Sequence, residues 1–299
     1  MRIFIQIIVI LTVLLAFGAA KLKFEHQLSQ DMVEQKLIQP PLKEGTSLKL
    51  GQTGAAVALG GLRSLVAAIW NFRAFLHFDE LDWIKLEESY EIITSLQPQT
   101  VHYWDTGAWH LHTNAAVYYN ENEDLPEFRQ KSLRKLYHKK GSDVLEEGVR
   151  QNPDSWRLNL ALARLWSDRH KMPDYPRAAE HYQNTLNCDD LPNFKRAQLE
   201  RFAFYNMCFI PERHAEALDI GKALLKNKNN HLPTLSCSIF ALQNKLQIPL
   251  LARIPDNQLF PSQRQQLMWL KNYWKGRRDD TLTTGVEAKI RALEFGSTF

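Results

Sequence analysis

Trp70 and Trp104 stand 34 residues apart, and the stretch between them carries Ala74, Tyr90 and Pro98. Small, aromatic and helix-terminating residues at those places describe a pair of helices that recurs with a period of 34. Such a unit cannot bury its apolar face alone and must stack on its neighbours. The period predicts an all-α chain, a helical-repeat solenoid of stacked helix pairs. No stretch shows the persistent period-2 alternation of a half-buried strand.

The prolines mark where the pairs end. Pro98 closes a unit that starts near Ala67, and Trp104 opens the next, in which Gly107 and Ala108 provide the small side chains that close helix crossing needs. The next closing proline, Pro153, comes 55 residues later, so both helices of this second unit are expected to be several turns longer. An acidic loop at 120–128 separates them, and a long helix is expected over 129–151. A third unit opens at Trp156, with Ala163 and Trp166 in its first helix and Ala178 and Tyr182 in its second. A fourth spans 194–226 around a turn at Pro211. Beyond Asn230 the repeat fades into helices expected at 231–247, 261–275 and 281–295, a degenerate continuation and C-terminal cap. The segment 275–280, Lys-Gly-Arg-Arg-Asp-Asp, reads as a charge-compensated loop.

Over residues 65–119 these positions resemble the tetratricopeptide-repeat (TPR) consensus: an aromatic, a small pair, Tyr/Ala/Phe, then Ala and Pro. His77 stands where the family has tyrosine, and Leu86 and Ile93 replace alanines of the second helix. The resemblance implies a concave groove lined by the first helix of each unit. Carried onto this chain, the ligand-facing places are Ala68, Asn71, Phe75, Phe78 and Asp79, then His102, Asp105, Trp109, His112 and Thr113, then Arg157, Leu160, Arg164, Ser167 and Asp168. From these sets the candidate partner-binding residues are Asn71, Phe75, Phe78, Asp105, Trp109, His112, Arg157 and Arg164. Asp105, Trp109 and His112 are spaced i, i+4, i+7, which places them on one face if the helix is α throughout. That face either binds a peptide through an aromatic anchor or is buried as core under the lengthened helices. Phe75, Trp109 and Arg164 at the ninth positions depart from the lysine and asparagine clamp that some TPR domains use for a terminal carboxylate. Arg157 and Arg164 could instead receive an acidic side chain.

Residues 3–20, IFIQIIVILTVLLAFGAA, form an apolar run interrupted only by Gln6 and Thr12. At 1.5 Å per residue it just spans a hydrocarbon core of about 30 Å. It reads as a single N-terminal transmembrane signal anchor within 1–23, since it exceeds the usual signal-peptide core; Gly18-Ala19-Ala20 keeps cleavage as the other reading. A polar linker over 24–54, broken by Pro40-Pro41, leads to the repeats at 55–230. Gly60-Gly61 predicts a helix break, and Arg63 argues against a second span. The order of anchor, Gly-Gly-Leu-Arg helix start and irregular repeats also looks like membrane-anchored TPR proteins of the bacterial envelope, a group that implies no particular activity. The expected location is the inner membrane, with the body outside the cytoplasm.

Composition narrows the chemistry. A net charge of +4 spread over 299 residues gives no basic block of the kind nucleic-acid binding favours. The cluster Lys131, Arg134, Lys135, Lys139 and Lys140 reads as the solvated face of a long helix. Cys188, Cys208 and Cys237 form no CxxC pair, and their odd number excludes a fully paired disulfide framework, so buried thiols are expected. His110 and His112 point about 200° apart on a helix and cannot share one metal ion. No P-loop, GxSxG, HExxH or GxGxxG motif occurs. No cofactor and no metal is therefore expected. The chain reads as a non-catalytic scaffold for a protein or peptide. Two other readings are an envelope enzyme whose substrate site is the aromatic, His and Asp groove, and a secreted soluble adaptor.

Overall fold

The computed structural model describes residues 61–277 and 282–296, and, before them, residues 21, 24–35, 37–40, 42, 45–46 and 48–51. Among the described residues the regular elements are all helical. The expected anchor at 3–20 lies outside them, and among them no helix is long and apolar enough to cross a membrane. The chain divides into two compact units, Met1–Trp104 and Asp105–Phe299.

The first unit is a helical hairpin, α1 (Arg63–Asp79) on α2 (Trp83–Leu96). Gly61 takes φ of +92°, a left-handed conformation open to glycine, and α1 begins after it; Gly60, the other half of the expected break, lies outside the described residues. Asp82 caps α2 by accepting a hydrogen bond from the Lys85 amide, which satisfies one of the orphan donors of the first turn. Val66 and Ala67 pack on Ile92 and Leu96, joined by Leu42, Leu50 and Trp70. The guanidinium of Arg63 donates to the Pro40 carbonyl, and Lys49 pairs with Glu91. The polar segment that reads as a linker thus contributes to the packing of this hairpin. Its few apolar residues are isolated between prolines and charges, so periodicity gave no sign of it. Residues 24–34 are helical.

The second unit continues from α3 (Val101–Trp109), in which the division between units falls. A π-helical segment (His110–Ala115) and α4 (Ala116–Asn120) follow, and α5 (Glu127–Gln151) returns against both. The first stretch, 101–120, is helical but not α throughout, and Glu127–Gln151 is one α-helix of 25 residues. Next come α6 (Trp156–Ser167), α7 (Tyr175–Asn187), α8 (Asn193–Met207), α9 (His214–Leu225) and α10 (Pro233–Lys245), each packed on the one before. The short α11 (Asp256–Leu259) leads to α12 (Gln263–Arg277) and α13 (Val286–Gly296), which pack on each other, with α12 also on α10. Helix α12 runs through Lys275, Gly276 and Arg277, where the sequence read as a loop. The largest core gathers Phe204, Ala217, Leu235, Ile239, Leu242 and Leu270 with neighbours from α8 to α13. The three cysteines are buried, and among the described residues none is in a disulfide.

One device recurs at the closing prolines. The Trp104 indole N–H donates to the carbonyl of Pro98 at 2.8 Å, and the Asn159 amide donates to the carbonyl of Pro153 at 3.1 Å. In both cases the donor lies six residues after the proline, in the next helix. Asn159 is buried and also reaches the Ser155 carbonyl at 3.2 Å and Cys188 Sγ at 3.9 Å. Asn159→Leu keeps the volume and removes these bonds, so it is expected to lower stability by about 1–2 kcal/mol. A urea midpoint equal to that of the parent chain would show that the Asn159 bonds hold nothing.

Candidate functional site

Two places in the fold carry residues of functional interest, one in each unit. In the second unit it is the π-helical turn. A π segment closes i→i+5 hydrogen bonds, and such turns are frequent at functional sites. Here the Ala116 amide bonds to the Leu111 carbonyl, the wider ring, as well as to Thr113. Three side chains from three different elements converge on His112. Lys171, from the α6–α7 loop, places Nζ 3.0 Å from His112 Nδ1 and 3.4 Å from Thr113 Oγ1. The Thr113 hydroxyl lies 2.9 Å from the same Nδ1. His138 of α5 sets Nδ1 3.0 Å from the His112 carbonyl oxygen, and a carbonyl can only accept, so His138 carries its proton on Nδ1. An ammonium donating to His112 Nδ1 likewise puts the His112 proton on Nε2. The His138 Nε2 lone pair is buried with no hydrogen bond among the described residues.

Glycine makes the approach of α5 possible. A Cβ on Gly141 would lie 2.5 Å from His112 Cβ, 2.9 Å from the His112 amide nitrogen and 3.0 Å from the Ala108 carbonyl oxygen. Burial then sets the proton affinities. Desolvation, reinforced by the Lys171 charge, holds the His112 imidazole down to about 3. Desolvation lowers His138, His110 and Lys171 as well. Asp168, 4.0 Å from Lys171, opposes part of this for Lys171 and His112. The arrangement keeps a neutral imidazole under an ammonium in a partly buried setting, and its polar atoms mostly satisfy one another.

The expected stripe therefore divides. Asp105 and Trp109 are exposed, Trp109 at 47%, and the Trp109 ring stacks obliquely on His110 at 5.2 Å. His112, in the π-helical segment, meets Lys171 and the Gly141 face of α5. His110 bonds Asn114 at 3.1 Å while His112 meets Lys171, so the two imidazoles serve separate partners. Among the described residues no group of three His, Cys, Asp or Glu could hold a metal ion. Arg157 and Arg164 are exposed on α6, with the Arg157 guanidinium 5.7 Å over the Trp156 ring, whereas Leu160 lies in the core with Ala163, Tyr182 and Leu199. Lys171, His138 and Gly141 escaped the sequence reading. Gly141 alone left a trace, an isolated glycine inside a 25-residue helix, which usually marks a close contact.

In the first unit the feature is a face of α1. Asn71 and Phe75 are exposed, Phe75 at 65%, while Phe78 is half-buried edge-on against Trp83 at 5.9 Å and belongs to the hairpin's packing. Away from the core face of Val66, Ala67 and Ala74 runs a second apolar row of Leu62, Leu65, Ile69, Phe72 and Leu76. Each is at least 49% exposed, and Phe72 reaches 76%. Their spacing of three and four residues lines them along one side of the helix. Sequence could not separate this row from the core row, because α1 is apolar on most of its circumference.

Among known proteins, no family model and no curated protein sequence matches the chain.

Proposed function

We propose that this chain is a non-catalytic helical-repeat scaffold of the tetratricopeptide type, tethered by residues 3–20 to the inner membrane of a bacterial envelope and binding a protein or peptide partner outside the cytoplasm. The observation that carries the reading is the exposed row on α1. Contiguous apolar patches of this kind mark interaction surfaces in soluble parts of proteins. The ordered succession of helices, each packed on the one before in the second unit, supports a repeat architecture, as does the shared bond from the next helix to a closing proline. Tethering raises the effective concentration of the scaffold near membrane partners. Trp109, Asp105, Arg157 and Arg164 offer further exposed contacts in the second unit.

The test is affinity capture with mass spectrometry from native membranes, using the full chain and a Leu65→Glu, Phe72→Glu variant. Both positions are exposed, so each substitution is expected to change stability by no more than about 0.5 kcal/mol. Loss of a specific protein from a variant of unchanged helicity is the expected result. An identical protein list from both chains would remove α1 as the binding face. A second variant, Asp105→Ala, Trp109→Ala, applies the same test to the second unit.

A further inference from the structure

In the second unit, α9, the turn at Lys228–Asn230 and the segment around α11 line an open cavity of about 690 Å³. Its floor is apolar, with Leu225, Ile254 and the buried ring of Phe260. Its rim carries Lys222, Lys226, Lys228 and His231, and no carboxylate lines it. Lys222 pairs with Asp219 at 3.3 Å, itself 79% exposed, and Asp256, next to Asn257 in the chain, pairs with Lys289 at 2.7 Å. Lys226 and Lys228 make no ion pair among the described residues. Lys222 and Lys226 are four residues apart on one helix face, an arrangement of like charges that weakens an isolated helix. Complementing the C-terminal dipole of α9 accounts for a cation in its last turn; it does not account for three lysines around one apolar hollow.

Asn257 and Gln258 complete the lining. Each side-chain amide offers a donor and an acceptor, the pair of groups that a peptide backbone presents and an acyl chain lacks. The size lies within the range of ligand-binding clefts. We propose that this cavity is a docking site for an extended acidic peptide that seats one large apolar side chain on the Leu225, Ile254 and Phe260 floor and pairs its flanking carboxylates with Lys222, Lys226 and Lys228. The site is separate from the α1 row and stands whether or not that row binds a partner.

The experiment measures fluorescence anisotropy of three labelled nonapeptides with the full chain in detergent. One has a central phenylalanine flanked by glutamates, one replaces the glutamates by lysines, and one replaces the phenylalanine by alanine. Saturable binding of the first is expected, weakened about tenfold or more by either change in the peptide and by Lys226→Glu, Lys228→Glu in the protein, and weakened by added salt. Trp109→Ala and Phe72→Glu are expected to leave it unchanged, which keeps this result distinct from the scaffold test. No saturable binding, or equal binding of the acidic and basic peptides, overturns the proposal. So does binding to phosphatidylglycerol vesicles that the lysine variant abolishes while no peptide binds, since that outcome assigns the cavity to a lipid surface.

Discussion

Gly141→Val is expected to lower the stability of the chain by about 3 kcal/mol, the upper part of the range for overpacked interiors. The neighbours of the added Cβ decide this. Two of the three nearest atoms, the His112 amide nitrogen and the Ala108 carbonyl oxygen, belong to backbone that cannot swing aside as a flexible side chain can. Relief requires α5 to move away from the π turn, which would stretch the His138 bond to the His112 carbonyl. Gly141→Ala should show most of the effect, because the Cβ itself makes the clash. Gly276→Ala is the matched control, since a Cβ there meets nothing within 4 Å. That substitution should be neutral or stabilise by less than about 1 kcal/mol through helix propensity. Urea denaturation of the three variants gives the comparison. Equal midpoints for the Gly141 and Gly276 variants would mean that the helices do not approach as closely as described.

The second large effect concerns acid. His112 is held neutral in the fold, at about 3, against an ordinary value of 6.5. Unfolding releases it to take up a proton below pH 6.5, so the unfolded chain binds more protons there and stability falls as pH falls. The contribution is complete above pH 6.5 and is lost progressively down to pH 3. Between pH 6.5 and pH 5 this one group accounts for about 2 kcal/mol. His110, His138 and His181, each lowered by burial, act in the same direction. Thermal or urea midpoints measured from pH 7.5 to pH 5 should therefore fall, and His112→Asn, which retains an acceptor near the position of Nδ1, should flatten the slope. The same slope in both proteins would assign the acid sensitivity to other groups.

These expectations rest on features of unequal visibility in the sequence. Helix positions were legible where prolines mark them, because a proline's effect is local chemistry: Pro98, Pro153 and Pro211 fall between α-helices as expected, and 127–151 is one helix where 129–151 was expected. The π turn was not legible. His-Leu-His-Thr-Asn-Ala contains nothing that forbids an α-helix, and what accompanies the wider turn is a set of contacts from residues 26 and 59 positions away. Lys171 was not legible for the same reason: its contact with His112 joins residues 59 positions apart. The exposed row on α1 shows the opposite limit. Its leucines and phenylalanines were plain to see, but a helix apolar on most sides does not declare which side the protein keeps covered.

The bonds to the closing prolines bear on the order in which the chain takes shape. Pro98 receives the Trp104 indole, and Pro153 the Asn159 amide, only once the following helix has made its first turn. A ribosome delivers those donors after the helix pair they secure, so each joint sets when its successor begins to coil. Shortened versions of the protein should respect that order: an end placed just after residue 98 or 153 discards the clasp, and one placed beyond the helix that supplies the donor keeps it.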